Sequence, residues 1–364
     1  MMNHSDNKWK KLNFTVGPVM SESDILEMAG FSTPYFRTLE FSEIMKENES
    51  LMLRFLEAPY DSRCVFLTAS GTGAMEACVM NALNEDDKVI VINGGSFGQR
   101  FVDLCSIHKR NFVEVKCGFG RQLKQSQLVG LEDSTVLLVN MHETSSGLLY
   151  DMQMISDFCK ENKILLVIDA ISSFVSDELK MERLGADIVI TGSQKALAVQ
   201  PGISIIALSP NAIDRIMKNE EHSMYLSIKK ALLDGERGQT PFTPAVTVLL
   251  QINKRLSKID CLGLENERNR ISNIANTFRI GIADLPLKMI PERPSNALTC
   301  VSTSRGNAKE IVRILKDEYD IWVCPNGGEY ANSIFRIGHI GFIKDEDNQR
   351  LVSVLHKLNN RGLL

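Results

Sequence analysis

No apolar run in the 364-residue sequence approaches the roughly 20 residues that cross a bilayer, and the polar start Met1 to Lys11 has no apolar signal core. Neither a membrane partner nor export is expected, so the expected location is the cytoplasm. Paired thiols are missing too. The eight cysteines, at 64, 78, 105, 117, 159, 261, 300 and 324, form no CxxC pair and lie mostly inside apolar strings, so they read as reduced packing residues. The six histidines are equally dispersed, which leaves no ligand spacing and no expected metal. Nor is there a basic excess. A formal charge of −4 and a pI near 6.0 give no global field for a polyanion, and nucleic acid is not an expected partner.

What is present is ordinary globular material: 44% hydrophobic and 24% charged residues can build a sizeable core. The length suggests two domains, one large and one small. From about Cys64 to Leu208, short β-rich strings alternate with longer helical segments: Cys64–Leu67, Lys88–Ile92, Phe112–Val115, Val136–Asn140, Ile164–Ile168, Asp187–Thr191 and Ile203–Leu208. This alternation predicts an α/β fold with a mainly parallel sheet. Strings such as Ile164–Ile168 are apolar throughout, as strands covered by helices on both faces should be.

Beyond Leu208 the spacing predicts helices over Asn211–Lys218, Ala245–Lys258 and Leu264–Leu285. A compact α+β unit follows: strand Leu298–Thr303, helix Ala308–Asp317, strands Ile321–Cys324 and Ile334–Ile337, helix Asp345–Asn359. The expected division is an N-terminal segment 1–20, a large domain 21–261 and a small C-terminal domain 262–364.

Ligand sites in such sheets lie at the carboxyl ends of the strands, and three constellations fall there. The run from Thr68 through Ser70, Gly71, Thr72 and Gly73 passes from a strand end into a helix start. Free N–H groups, the positive end of the helix dipole and two hydroxyls suit a phosphate, although the same residues also make an ordinary helix cap. Asp169 follows a fully apolar strand, where an unpaired carboxylate is costly. It is either a cap for the next segment or the partner of a cation such as a protonated pyridine nitrogen. Lys195, in Thr191-Gly-Ser-Gln-Lys195, ends the strand one αβ unit later, among small and apolar residues. Burial would make its amine a Schiff-base nucleophile.

Together with Asn93-Gly-Gly-Ser-Phe-Gly-Gln-Arg100 and His142-Glu-Thr-Ser-Ser-Gly147, these runs resemble the class V pyridoxal-phosphate aminotransferases, nearest to the alanine–glyoxylate, serine–pyruvate and 2-aminoethylphosphonate group. The resemblance runs from Gly17-Pro18 to Arg336-Ile-Gly338 and implies fold-type I. It also implies pyridoxal 5′-phosphate carried on Lys195, Asp169 on the pyridine nitrogen, and Ser70, Gly71, Thr72 and Gln194 on the phosphate. Phe97 is implied to stack on the cofactor face. Ser145 is expected near cofactor and substrate, with Gly17 also beside the substrate and Arg336 on its acidic group. Thr243 matches the threonine that reaches the phosphate of a neighbouring subunit, so a homodimer with shared sites is implied. Thr240 stands where some relatives have a tyrosine that touches the same phosphate, which puts that second contact in doubt.

The activity implied is ping-pong transfer of an amino group from a small donor, alanine, serine or similar, to a 2-oxo acid, pyruvate or glyoxylate. The stretch Phe36-Arg-Thr-Leu-Glu-Phe41 and the His142 run are similar to the aminoethylphosphonate enzymes, whereas Gly192-Ser-Gln-Lys-Ala-Leu is similar to the alanine–glyoxylate type. A fold-type I lyase such as a cysteine desulfurase would share Lys195 and Asp169 but would offer a mobile-loop cysteine and commonly a histidine on the ring, where this chain has Phe97. A non-catalytic relative would usually lose the lysine or the acid. Both are present.

Overall fold

The computed structural model describes residues 11–364; the polar start Met1 to Lys11, but for its last residue, lies outside the described residues. The chain opens with a short strand, β1 (Leu12–Phe14), and then builds a large layer from β2 (Arg63–Leu67), β3 (Val89–Asn93), β4 (Phe112–Lys116) and β5 (Val136–Asn140). After a two-strand hairpin, β6 (His142–Glu143) and β7 (Leu148–Leu149), the layer continues with β8 (Leu165–Asp169), β9 (Ile188–Gly192) and β10 (Ser204–Leu208).

The seven strands take the order β2-β10-β9-β8-β5-β3-β4, and only β10 runs against its neighbours. The mainly parallel sheet expected from the sequence is thus formed. Its strands are apolar throughout because both faces are covered. Leu166 and Ile168 of β8 enter one core, beneath helices Leu39–Phe55, Met152–Asn162 and Val246–Leu262. Leu165 and Val167 enter the other, with helices Gly71–Ala82, Ser96–Ile107 and Pro210–Lys218. Because β3, β5, β8 and β9 are parallel, Asn93, Asn140, Asp169 and Gly192 finish at one edge, and Asn140 stands directly beside Asp169 in register.

The remaining strands, β11 (Leu287–Met289), β12 (Leu298–Thr303), β13 (Ile321–Pro325) and β14 (Ile334–Gly338), form a second sheet in the order β1-β13-β14-β12-β11. Helices Ala308–Tyr319 and Asp345–Asn360 complete this unit around a third core. Leu12–Phe14 pairs parallel with Ile321–Val323, and Phe14 is fully buried in that third core. Three residues are too few to show strand periodicity. Helices Val246–Leu262 and Leu264–Gly281 meet at Gly263, whose positive φ of 87° makes the corner between them. The helix expected to reach Leu285 stops at Gly281.

Candidate active site

Lys195 follows β9 and reaches back across the sheet edge, where its Nζ donates to the Val16 carbonyl at 2.6 Å. Burial in the first place, helped by the positive charges of Arg336 and Arg100, pulls its ammonium down to about 8, against the opposing pull of Cys324 and Asp169. The stem packs on Gly17. That glycine has φ +118°, and a Cβ there would stand 2.6 Å from the Lys195 Cδ. Asp169 ends β8 and is buried; its Oδ1 accepts from the Ile171 N–H at 2.8 Å. Desolvation pushes this carboxyl up to about 6, with Glu143 adding to the rise and Lys195 opposing it. A carboxylate held in this way gains from a cation that shares its burial.

Ser70 occupies the N-cap of helix Gly71–Ala82 in extended geometry, yet its side chain makes no capping bond. The first N–H groups of this 12-residue helix and the Ser70 hydroxyl are thus left for an anion rather than spent on each other. Gly71 is needed for packing: a Cβ would meet the Ile171 Cδ1 at 2.3 Å, close to Asp169. Thr72 accepts from the Arg100 guanidinium at 2.8 Å, and Arg100 lies 4.5 Å over the Phe97 ring. Gln194 lies beside Gly192, where a Cβ would be 3.0 Å from its Oε1.

The Ser145 hydroxyl turns inward. It donates to Glu143 at 2.5 Å and accepts from the Ser96 N–H at 3.2 Å, so it is held within the loop. Arg336 Nη1 donates to the Thr144 carbonyl at 3.0 Å and Nη2 to the Pro325 carbonyl at 2.8 Å, which ties strands β13 and β14 to the 144–145 loop. Asn326 ties the same loop through the Ser145 carbonyl at 3.0 Å. Thr243 is exposed and lies in a recess with Thr68, Tyr225, Thr240 and Phe242. Thr240 turns its hydroxyl to the Phe242 carbonyl at 2.8 Å. Arg37 is occupied elsewhere, holding Gln239 at 3.2 Å and the Thr240 carbonyl at 2.9 Å.

Four residues at this edge had no role assigned from the sequence. Asn140, beside Asp169, buries both side-chain polar atoms without a protein partner, and so does His142 with its Nε2. Burial, then the Lys195 charge, drives His142 down to about 3, so it is neutral at physiological pH. The Thr144 hydroxyl meets Ser172 at 2.8 Å. Glu143, fully buried, binds the backbone N–H groups of Phe97 and Gly98 at 3.3 and 2.9 Å. An acid and an amide side by side at the end of apolar strands was the readable signal for Asn140. For Glu143 it was a lone acid between buried residues.

These residues fit a phosphorylated pyridine aldehyde: an anion cradle, a buried acid for a ring nitrogen, unpartnered polar atoms beside that acid, and a lysine whose charge is disfavoured. Fold and site together define a fold-type I pyridoxal-phosphate enzyme. A family model described as aminotransferase class-V matches residues 27–337, and the chain belongs to that family of transaminases, whose cofactor is pyridoxal phosphate. It is 30% identical to the soluble hydrogenase 42 kDa subunit of Anabaena cylindrica, over 85% of this chain and 83% of that one. It is also 30% identical to the L-aspartate–glyoxylate aminotransferase of Paracoccus denitrificans, over 77% and 74% of the two chains. The fold superposes on an aspartate aminotransferase of Thermus thermophilus with a TM-score of 0.90 at 23% identity, over 96% of this chain and 99% of that one. No helix among the described residues is long and apolar enough to cross a membrane.

Gly17 gives a first prediction. Gly17→Ala forces either a strained positive φ or a displaced Lys195 stem, and should lower turnover at least about tenfold, one tenfold step being about 1.4 kcal/mol. Turnover equal to the parent's would show that the stem moves aside without cost.

Proposed function

We propose that the enzyme moves an amino group from a small amino acid, alanine, serine or a similar donor, to pyruvate or glyoxylate by a ping-pong cycle. What carries this reading is the guanidinium of Arg336, docked near Lys195 on the 144–145 loop, where a planar carboxylate can be gripped at short reach from the amine. The name of the Paracoccus relative supports a 2-oxo acceptor of the glyoxylate kind.

Each residue then has a definable task. Ser70, Gly71, Thr72 and Gln194 hold the phosphate, Asp169 pairs with the ring nitrogen, and Phe97 covers one face. When bound, pyridoxal phosphate supplies the electron sink that loosens the donor's α-proton. Lys195, with an ammonium near 8, is close enough to neutral pH to take that proton and deliver it at C4′. Arg336 fixes the acidic group so that the α-carbon faces Nζ, first for the donor and then for the acceptor. The test is a donor screen in single half-reactions: alanine, serine, aspartate and 2-aminoethylphosphonate, each followed by glyoxylate or pyruvate. Intersecting rather than parallel double-reciprocal plots would overturn the ping-pong cycle, and conversion of the phosphonate alone would overturn the carboxylate donor.

Arg336→Ala should raise the Michaelis constants of donor and acceptor alike by roughly ten- to a hundred-and-fifty-fold, the effect of losing one charge-assisted contact of about 1.5–3 kcal/mol. A purely structural Arg336 would instead lower the melting temperature and leave both constants unchanged.

The same reading pairs two chains about a two-fold axis, so that Thr243 of the partner subunit completes each phosphate site. Supporting it are the exposure of Thr243 and the apolar surface beside it, where Met224 and Tyr225 are 71% and 52% exposed and Tyr225 stacks on Phe242 at 5.5 Å. Sedimentation as a monomer at micromolar concentration would overturn it.

A further inference from the structure

Glu143, fully buried, is bonded both to its own loop and to the start of helix Ser96–Ile107. Its Oε1 accepts from the Ser145 hydroxyl at 2.5 Å, the Ser145 N–H at 3.2 Å and the Phe97 N–H at 3.3 Å, while Oε2 accepts from the Gly98 N–H at 2.9 Å. One carboxylate thus joins the first turn of helix Ser96–Ile107, which carries Phe97, to the loop whose Thr144 and Ser145 carbonyls hold Arg336 and Asn326.

The approach depends on two glycines. A Cβ on Gly95 would lie 2.2 Å from the Ser145 Oγ and 2.7 Å from the Glu143 carboxyl carbon, and one on Gly98 would lie 2.7 Å from the Asn93 Cα. Asn93 fixes the turn from its other side by accepting from the Gly95 N–H at 3.2 Å. A helix N-terminus favours a carboxylate, and a buried carboxylate keeps its place only when its lone pairs are met. The bonds to residues 97 and 98 therefore set the Phe97 backbone, from which the ring projects.

We propose that Glu143 is a positioning residue for the cofactor: it holds the Phe97 ring in the plane that stacks on the pyridine and locks that ring to the loop gripped by Arg336. This rests on the reading of Phe97 as the stacking ring. Glu143→Gln keeps the shape but turns an NH2 donor toward backbone N–H donors, so the turn must shift.

The experiment is equilibrium titration of cofactor-free protein with pyridoxal phosphate, followed by absorbance and protein fluorescence, with melting temperature measured in parallel. The variants are Glu143→Gln, Phe97→Leu, the double variant, and Ser145→Ala with and without Phe97→Leu. Glu143→Gln should weaken cofactor binding about tenfold or more in the parent, the loss expected of a charge-assisted contact, and less than about threefold once Phe97 is leucine, because the two act through one ring. Ser145→Ala, which removes one donor and leaves Glu143 in place, should follow the same pattern at smaller size and serves if Glu143→Gln does not fold. Equal losses in both backgrounds, or a lower melting temperature with unchanged affinity, would show a helix cap and nothing more. A parent protein that takes up no cofactor would remove the stacking reading, and this proposal with it.

Discussion

Lys195→Ala should abolish amino transfer and the absorbance of protein-held cofactor while leaving the fold intact, because the amine does chemistry that packing does not need. In the parent, borohydride reduction should fix the cofactor on a single peptide, the one containing Lys195; a second labelled lysine, or normal turnover in the variant, would sink the assignment. The structure adds a stability signature. Burial lowers the ammonium from 10.5 to about 8, which corresponds to roughly 3 kcal/mol of disfavoured charge. Between those two values the unfolded chain binds more protons than the folded one, so cofactor-free protein gains stability as pH rises through the window, and below 8 the whole cost is present. Lys195→Met, which keeps the stem's packing, should therefore raise the melting temperature of cofactor-free protein at pH 7, with the gain shrinking toward pH 10.5. A gain that stays constant with pH would mean the amine is not buried as described.

The sheet was legible because its strands obey one constraint. Strands such as Leu165–Asp169 are covered on both faces, so they read as unbroken apolar strings, and the polar residue that ends each one marks the site edge. Asp169 and Lys195 stood out for the same reason: each puts a charge where its surroundings are apolar or small. Short elements were not legible. β1 has three residues and owes its place to β13, more than 300 positions away in the chain, as Leu12 against Ile321 shows. The Leu148–Leu149 hairpin strand has two, too few for any period.

Within the candidate site, the directions of the hydroxyls were not legible in the sequence. The Ser145 Oγ serves Glu143, a carboxylate whose partners at Phe97 and Gly98 are 46 and 45 positions away. A serine in a Ser/Thr-rich loop carries no local sign of such a partner. The ordinary helix cap considered for Ser70 is likewise settled only by geometry: the residue occupies the cap position, and its side chain does not cap. The resemblance implied Gly17 beside the substrate, whereas its contact with the Lys195 stem depends on the fold bringing residues 17 and 195 together.

Asp169→Asn should lower turnover by at least about two orders of magnitude, the usual size of losing one preorganised charge that the transition state uses, and should weaken cofactor binding as well. The substitution is close to isosteric and its oxygen can still accept from the Ile171 N–H, so the strand end keeps its cap. What changes is the charge. In cofactor-free protein, desolvation raises this carboxyl from 3.8 to about 6, so the folded chain holds a proton that the unfolded chain has released. Stability therefore falls as pH rises through that window, and at pH 7 the buried carboxylate costs roughly 3 kcal/mol. Asparagine escapes this cost, so the cofactor-free variant should melt higher than the parent at pH 7 and nearly level with it at pH 3. The cofactor-loaded forms should rank the other way, because only the carboxylate can partner a protonated ring nitrogen. Turnover and affinity unchanged at saturating cofactor would leave Asp169 as a strand-end cap. A variant that loses both function and cofactor-free stability would place the effect in the fold rather than in the charge.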